Sequence, residues 1–231
     1  MSIVQENIRR LQERIADVRA KSAQSREITL IAVSKTQPAA AIREAYEAGL
    51  RHFGENRVQE REGKREQLRD LQGVWHLIGH LQSNKAARAA KVFHSVDSVD
   101  DFAVAQRLDH ARAELNAAER LRILIEVRVA EEATKSGADA QELPALLEKI
   151  AALKHLEVRG LMCIPPYLED PEKVRPYFQR LRKIRDDLSS ATGVQLPVLS
   201  MGMSHDFEVA VQEGATEVRI GTAIFGQRPA P

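Results

Sequence analysis

Apolar residues recur near the start of the chain at Val4, Ile8, Leu11, Ile15 and Val18, steps of four and three that mark one face of an amphipathic helix. Beyond that segment the pattern changes. Short β-branched runs at 28–33, 51–53, 74–78, 92–96, 122–129, 156–162, 197–199 and 217–220 alternate with longer amphipathic stretches at 39–48, 58–71, 100–118, 140–153, 172–190 and 207–212. The runs predict eight strands and the stretches predict helices. Gly49, Gly73, Gly193 and Gly214 stand where helices stop, because glycine accepts the left-handed residue that closes them. Strict alternation requires parallel strands joined by helical crossovers. Eight such units predict an α/β protein folded as a closed (β/α)8 barrel with one extra N-terminal helix. An open doubly wound sheet is the rival, but it calls for a glycine-rich turn after the first strand, where Ser34-Lys35-Thr36-Gln37-Pro38 stands instead. No Gly/Ser-rich or Pro-rich linker interrupts the chain, so 1–231 reads as a single domain with none expected after the eighth unit.

Charge narrows the function. Thirty-four Lys and Arg against 33 Asp and Glu leave a net charge of +1, which gives no large positive field for nucleic acid or an anionic membrane. The most apolar stretches, 28–33 and 123–129, fall far short of the roughly 20 residues that cross a bilayer. One cysteine, Cys163, cannot form an internal disulfide, and no apolar signal core opens the chain, so a cytoplasmic location is expected.

In a barrel the chemistry comes from the C-terminal ends of the strands. Lys35 follows the first strand, and alternation puts it on the face of Ile31 and Val33, at the barrel mouth if Val33 points inward. A lysine above an apolar lumen is desolvated, which favours the neutral amine that forms Schiff bases with aldehydes; the plain alternative is a surface lysine after a strand. The loops after strands seven and eight, Leu199-Ser200-Met201-Gly202-Met203-Ser204 and Gly221-Thr222-Ala223-Ile224-Phe225-Gly226, fall where barrels build phosphate sites. Ser200, Ser204 and Thr222 supply hydroxyls there, and Gly202 and Gly221 let backbone approach an anion closely.

Arg219 lies between Val218 and Ile220, which turns it into the barrel if those two face the helices. There it either pairs with a core carboxylate such as Glu126 or donates to an unprotonated ring nitrogen, since arginine has no acceptor. Asn56, after strand two, sits at the same end, as a ligand or as a turn residue. Other signals carry less. His76 and His80 are four apart but straddle a strand end, which is not the helical spacing of a zinc pair, so no metal site is expected. Cys163 reads as a core thiol. Arg180, Arg182, Lys183 and Arg185 share a helix with the apolar stripe Leu181, Ile184 and Leu188 and read as its solvated face.

Five blocks in order, Ala32-Val33-Ser34-Lys35-Thr36, His52-Phe53-Gly54-Glu55-Asn56 with Val58-Gln59-Glu60, Trp75-His76 through Ile78-Gly79-His80-Leu81-Gln82-Ser83-Asn84-Lys85, Ser200-Met201-Gly202-Met203-Ser204 with Asp206, and Val218-Arg219-Ile220-Gly221-Thr222-Ala223-Ile224-Phe225-Gly226, closely resemble the pyridoxal phosphate homeostasis protein family. The resemblance runs from the first strand to the last. It implies a barrel of the alanine racemase type that binds pyridoxal 5′-phosphate, with a Schiff base on Lys35. It also implies a phosphate site in the loops of Ser200, Met201, Gly202, Ser204, Gly221 and Thr222, with Arg219 at the pyridine nitrogen and Asn56 near the ring. The implied role is storage, buffering or delivery of the vitamin B6 cofactor by a cytoplasmic monomer, without catalytic turnover, with cofactor-dependent apoenzymes as recipients. Two positions depart from the family pattern: Gln37 stands where many relatives carry a second lysine, and Ala215 where many carry a small hydroxyl residue.

The rival is a racemase or decarboxylase of the same fold. Racemisation needs a base on each face of the substrate, and related racemases draw one from a tyrosine of an added domain. Of Tyr46, Tyr167 and Tyr177, only Tyr167 is expected near the mouth. A phosphosugar isomerase or aldolase would also explain the phosphate loops, but it predicts no bound chromophore.

Overall fold

The computed structural model describes residues 2–22, 26–130 and 136–227. Eight parallel strands form a closed barrel in sequential order. They are β1 (Thr29–Val33), β2 (His52–Glu55), β3 (Val74–Leu77), β4 (Ser95–Val99), β5 (Leu121–Glu126), β6 (Leu156–Met162), β7 (Val198–Ser200) and β8 (Glu217–Ile220). Before them runs α1 (Ile3–Lys21), and the crossovers carry α2 (Ala39–Glu47), α3 (Val58–Arg65), α4 (Ala86–Val92), α5 (Phe102–Glu114), α6 (Leu143–Ala151), α7 (Arg175–Thr192) and α8 (Phe207–Gln212). A single turn, α9 (Thr222–Phe225), follows β8.

α1 starts at a capping box, in which Ser2 Oγ accepts the Gln5 N–H and Gln5 Oε1 accepts the Ser2 N–H, satisfying two donors that a helix start leaves open. It buries Ile8, Leu11 and Ile15, the stripe read from the sequence, and Asn7 Nδ2 donates to the Ile224 carbonyl of α9 at 3.0 Å. The extra helix thereby braces the last barrel unit.

The main core is the layer between sheet and helices, where Phe53 of β2 stacks on Trp75 of β3 at 5.2 Å between ring centroids and Phe178, Leu181, Leu108 and Ile150 are buried from the helix side. The barrel interior is identified by contacts between strands that are not neighbours. A Glu217 carboxylate oxygen of β8 lies within 4.8 Å of ligand atoms on His76 of β3 and Asp97 of β4, which is possible only across the lumen. Because side chains alternate along a strand, Arg219 shares that inward face with Glu217, while Val218 and Ile220 belong to the outer core.

The fourth unit departs from the reading of the sequence. The expected strand at 92–96 is displaced: Val92 ends α4, a helix absent from the sequence expectations, and β4 begins at Ser95. Ser95 and Asp97 put polar groups on a fully buried strand, so the apolar run that normally marks one is missing. Elsewhere the expected helices 58–71 and 100–118 are shorter, Val58–Arg65 followed by a 3-10 turn and Phe102–Glu114, and Asn116 beyond the latter takes a left-handed φ of 46°.

β7 has only three residues and runs against Gly160 of β6, which pairs with Val198. A methyl group on Gly160 would collide with the Val198 carbonyl oxygen, and backbone cannot swing aside as a side chain can. Gly160→Ala is therefore expected to cost about 3 kcal/mol, the upper end of overpacking penalties, read as a lower urea midpoint; an unchanged midpoint contradicts this account of the β6–β7 contact.

Candidate functional site

A cavity of about 510 Å³ opens at the C-terminal ends of the strands. Lys35, Asn56, Ser204, Arg219, Gly221 and Thr222 line it, six of the residues singled out in the sequence. A cleft of about 530 Å³ lies at the other end of the barrel, beneath α1 and around Arg19, Gly49 and Arg51. It opens at the N-terminal ends of β1 and β2, the face that serves stability in this architecture.

The two phosphate-type loops form one construction. After β7 the chain turns sharply at Gly202, whose φ of 95° is left-handed and where an added Cβ would come within 2.6 Å of the Ala210 methyl carbon. The turn brings Met203, Ser204, His205 and Asp206 to the cavity wall. Asp206 is buried and accepts the Met203 N–H at 2.6 Å, which locks the loop from inside; burial pushes its carboxyl above the usual range. Ser204 Oγ accepts the Ala223 N–H at 3.3 Å and so ties this loop to the one after β8.

Ser200, Met201 and Gly202 lie behind that wall, all three buried. Ser200 Oγ accepts from Arg219 Nη1 at 2.9 Å, Met201 packs in the outer core, and the Gly202 carbonyl accepts the Arg219 N–H at 2.9 Å. Ser200 and Gly202 thus contact Arg219, and the chain turns at Gly202.

Arg219 is 4% exposed. Besides Ser200, its guanidinium donates to the Cys163 carbonyl through Nη2 at 2.8 Å, and it makes no ion pair among the described residues. Glu126, the carboxylate considered from the sequence, instead accepts from Ser136 Oγ at 2.8 Å. The cation is thus held by two neutral acceptors at the cavity floor. Cys163 is completely buried, and burial pushes its thiol up to about 12, which leaves it protonated and inert as a nucleophile.

His205, Asp206 and Gln37 also line the cavity, beyond the residues expected from the sequence. Ser204-His205-Asp206, beginning two residues after the turn glycine Gly202, is the available signal. The exposed Tyr167 reaches the cavity rim, as expected, and its ring lies 5.2 Å from that of His205. The two histidines spaced four apart separate completely: His80 lines the cavity, whereas His76 is buried in the lumen.

His76 Nδ1 donates to Asp97 Oδ2 at 2.9 Å, and its other ring nitrogen is 3.0 Å from Nδ1 of His52. Burial disfavours the His76 cation, yet the adjoining Asp97 carboxylate outweighs that and raises its pKa. His52 is driven the opposite way, down to about 4, by burial and then by its neighbour His76. Glu217, opposite them, is pushed up to about 7 by burial and next by repulsion from Asp97. With Arg219 two residues further along β8, this network forms a polar floor beneath the cavity.

The architecture and its mouth define a class before any relative is considered: a (β/α)8 barrel whose ligand-facing end carries a lysine after β1, an arginine on β8 and paired loops after β7 and β8. Residues 6–229 match the family described as alanine racemase, N-terminal domain. A pyridoxal phosphate homeostasis protein of Aquifex aeolicus is 49% identical over 199 residues, covering 86% of each chain. Its namesake in Pseudomonas aeruginosa is 46% identical over 229 residues, covering 99% of this chain and 97% of the other. The solved structure of PipY from Synechococcus elongatus with PLP bound superposes with a TM-score of 0.84 at 41% identity, covering 97% of this chain and 100% of that one. The chain belongs to the pyridoxal phosphate homeostasis protein family, built on the alanine racemase N-terminal-domain barrel.

Glu217 yields a pH prediction. Its folded pKa, about 7, lies above the ordinary 4.5, so the folded state binds the extra proton. The stability this supplies is complete below about 4.5 and is lost as pH rises to about 7. His52 acts with the opposite sign between about 4 and 6.5, an overlapping range, so the carboxyl is read from the difference between wild type and Glu217→Gln. The variant is expected to gain stability relative to wild type as pH rises toward 7, measured by urea unfolding at a series of pH values. A constant difference would contradict the shift.

Proposed function

We propose that the protein holds pyridoxal 5′-phosphate at the barrel mouth and serves vitamin B6 homeostasis as a store, buffer or carrier, without catalytic turnover. The observation that carries this reading is the convergence of Lys35, Arg219, Ser204, Gly221 and Thr222 on one cavity. The donor set fits the cofactor's three polar features. Lys35 supplies an amine for the aldehyde, the linked loops supply hydroxyl and backbone donors for a phosphate, and Arg219 supplies a fixed N–H donor for the ring nitrogen. Asn56 lines the same cavity, and Gly79 packs so closely on its main chain that an added Cβ would come within 2.5 Å of the Asn56 carbonyl oxygen.

When bound, the cofactor would supply a reactive aldehyde, and Lys35 would hold it through its side-chain amine. Arg219, which offers donors and no acceptor, keeps a proton off the ring nitrogen. Ser200 and the Cys163 carbonyl hold that guanidinium in place. Tyr167 stands exposed at the cavity rim beside His205, and the Cys163 thiol, buried outside the cavity lining, is protonated. Retention and release, rather than turnover, suit this residue set, and the curated relatives are named for homeostasis. The net charge of +1 gives no large positive field for nucleic acid or an anionic membrane, and the proposed carrier is a cytoplasmic monomer whose recipients are cofactor-dependent apoenzymes. Among the described residues no helix is long and apolar enough to cross a membrane.

Incubating the full-length protein with pyridoxal 5′-phosphate, reducing with borohydride and mapping the peptides tests the assignment. The pyridoxyl group is expected on Lys35, together with an absorbance band well above the protein band that Lys35→Ala abolishes. Attachment to another lysine, such as Lys85, would overturn it.

A further inference from the structure

Ser34 and Lys35 share a peptide bond, and the polar groups of Ser34 are all engaged. Its N–H donates to the Gly54 carbonyl at 2.9 Å, and its hydroxyl donates to Glu55 Oε1 at 2.8 Å. Its carbonyl oxygen, the acceptor of the peptide unit leading into Lys35, takes the Gln37 N–H at 3.0 Å and Lys64 Nζ at 2.8 Å. The same Lys64 ammonium pairs with Glu55 Oε1 at 2.8 Å. Glu55 is fully buried and the Lys64 side chain is only 14% exposed, so this is an ion pair largely shielded from water and from screening salt.

Alternation assigns the clamp to the outer side of the barrel wall. Ser34 follows Leu30 and Ala32 on the helix-facing side of β1, and it meets Glu55 of β2 and Lys64 of α3 there. Lys35 falls on the opposite, lumen-facing side with Ile31 and Val33, and it lines the cavity. The next residue, Thr36, sits at φ 63°, a left-handed conformation unfavourable for a β-branched side chain and maintained only where surrounding structure enforces it. No local propensity would hold this turn.

We propose that Lys64 and Glu55 are positioning residues for the Lys35 amine: their ion pair on the outer wall fixes the Ser34–Lys35 peptide plane and the strained Thr36 turn, so that Lys35 enters the cavity in one orientation. This rests on Lys35 being the residue that captures the aldehyde. An ion pair that merely docks α3 on the barrel would affect stability alone. A positioning pair also affects how fast Lys35 reacts, because misdirecting a nucleophile lowers its rate even in a folded protein.

The test uses ligand-free, full-length protein mixed with pyridoxal 5′-phosphate. Imine formation is followed by stopped-flow absorbance, and the attachment site is mapped after borohydride reduction. Lys64→Met is expected to slow capture by Lys35 by about tenfold or more, the effect of ~1.4 kcal/mol on a barrier. Lys64→Arg, which keeps a charged donor, is expected to recover most of the rate. Leu108→Ala, a core truncation in α5, lowers the melting temperature while leaving the capture rate unchanged. If Lys64→Met does not fold, Glu55→Gln replaces it, with slowing in the same direction expected. Capture within twofold of wild type in Lys64→Met or Glu55→Gln, or equal slowing in Leu108→Ala, overturns the positioning role while leaving Lys35 as the attachment site. A pyridoxyl group found away from Lys35 in wild type overturns the assignment of Lys35 itself, and the clamp with it.

Discussion

The parallel pairing of β1 with β8 is the constraint on which the site depends. Thr29, Leu30, Ile31 and Ala32 lie beside Glu217, Val218, Arg219 and Ile220, and this seam turns an eight-stranded sheet into a closed barrel. Closure brings the first and last loops of the barrel side by side, so Lys35 and Thr222 line the same cavity although they stand 187 positions apart in the sequence. The register matters as much as the pairing. A slip of one residue would turn Arg219 out among the helices and place Val218 or Ile220 in the lumen. α1 reinforces the seam from outside through Asn7 and its buried stripe.

A closed lumen also makes charge expensive, and the interior answers with pairing. His76 leans on Asp97, Ser95 Oγ donates to the same carboxylate, and Arg219 is met by a hydroxyl and a carbonyl. Glu217 is met less fully: its Oε2 is buried without a hydrogen-bond partner among the described residues, which accords with a carboxyl that keeps its proton up to about neutral pH. The result is graded. Titratable groups occupy the lumen floor, one permanent cation stands above them, and the amine of Lys35 lines the cavity at the top. Because arginine does not lose its proton at any accessible pH, the group proposed to face the ring nitrogen has the same charge whatever the floor beneath it does.

Much of this was legible in the sequence, for identifiable reasons. Regular alternation of apolar runs and amphipathic stretches reports a barrel because each strand must be followed by a covering helix, and the inward turn of Arg219 follows from its apolar neighbours. What could not be read depends on contacts between strands, which leave no local pattern. Ser95 and Asp97 disguise β4 because Asp97 meets His76 of the neighbouring β3 and Ser95 donates to Asp97. Ser200 looks like a phosphate hydroxyl by position, and only the fold shows it turned to Arg219. Met201 and Gly202 belong to the same loop motif but form its foundation rather than its surface. The helix-side grip on Ser34 was invisible because Lys64 is a charged residue on an amphipathic helix, where a solvated position is the ordinary reading.

The proposed role of Arg219 is to meet the ring nitrogen of the bound ligand and keep it free of a proton. The most direct measurement is the nitrogen-15 chemical shift of ring-labelled pyridoxal 5′-phosphate bound to the full-length protein, followed through neutral pH. The account predicts an unprotonated ring nitrogen throughout in wild type, and a nitrogen that takes up a proton when Arg219 is replaced by glutamate. A protonated ring nitrogen in the wild-type complex at neutral pH would contradict it.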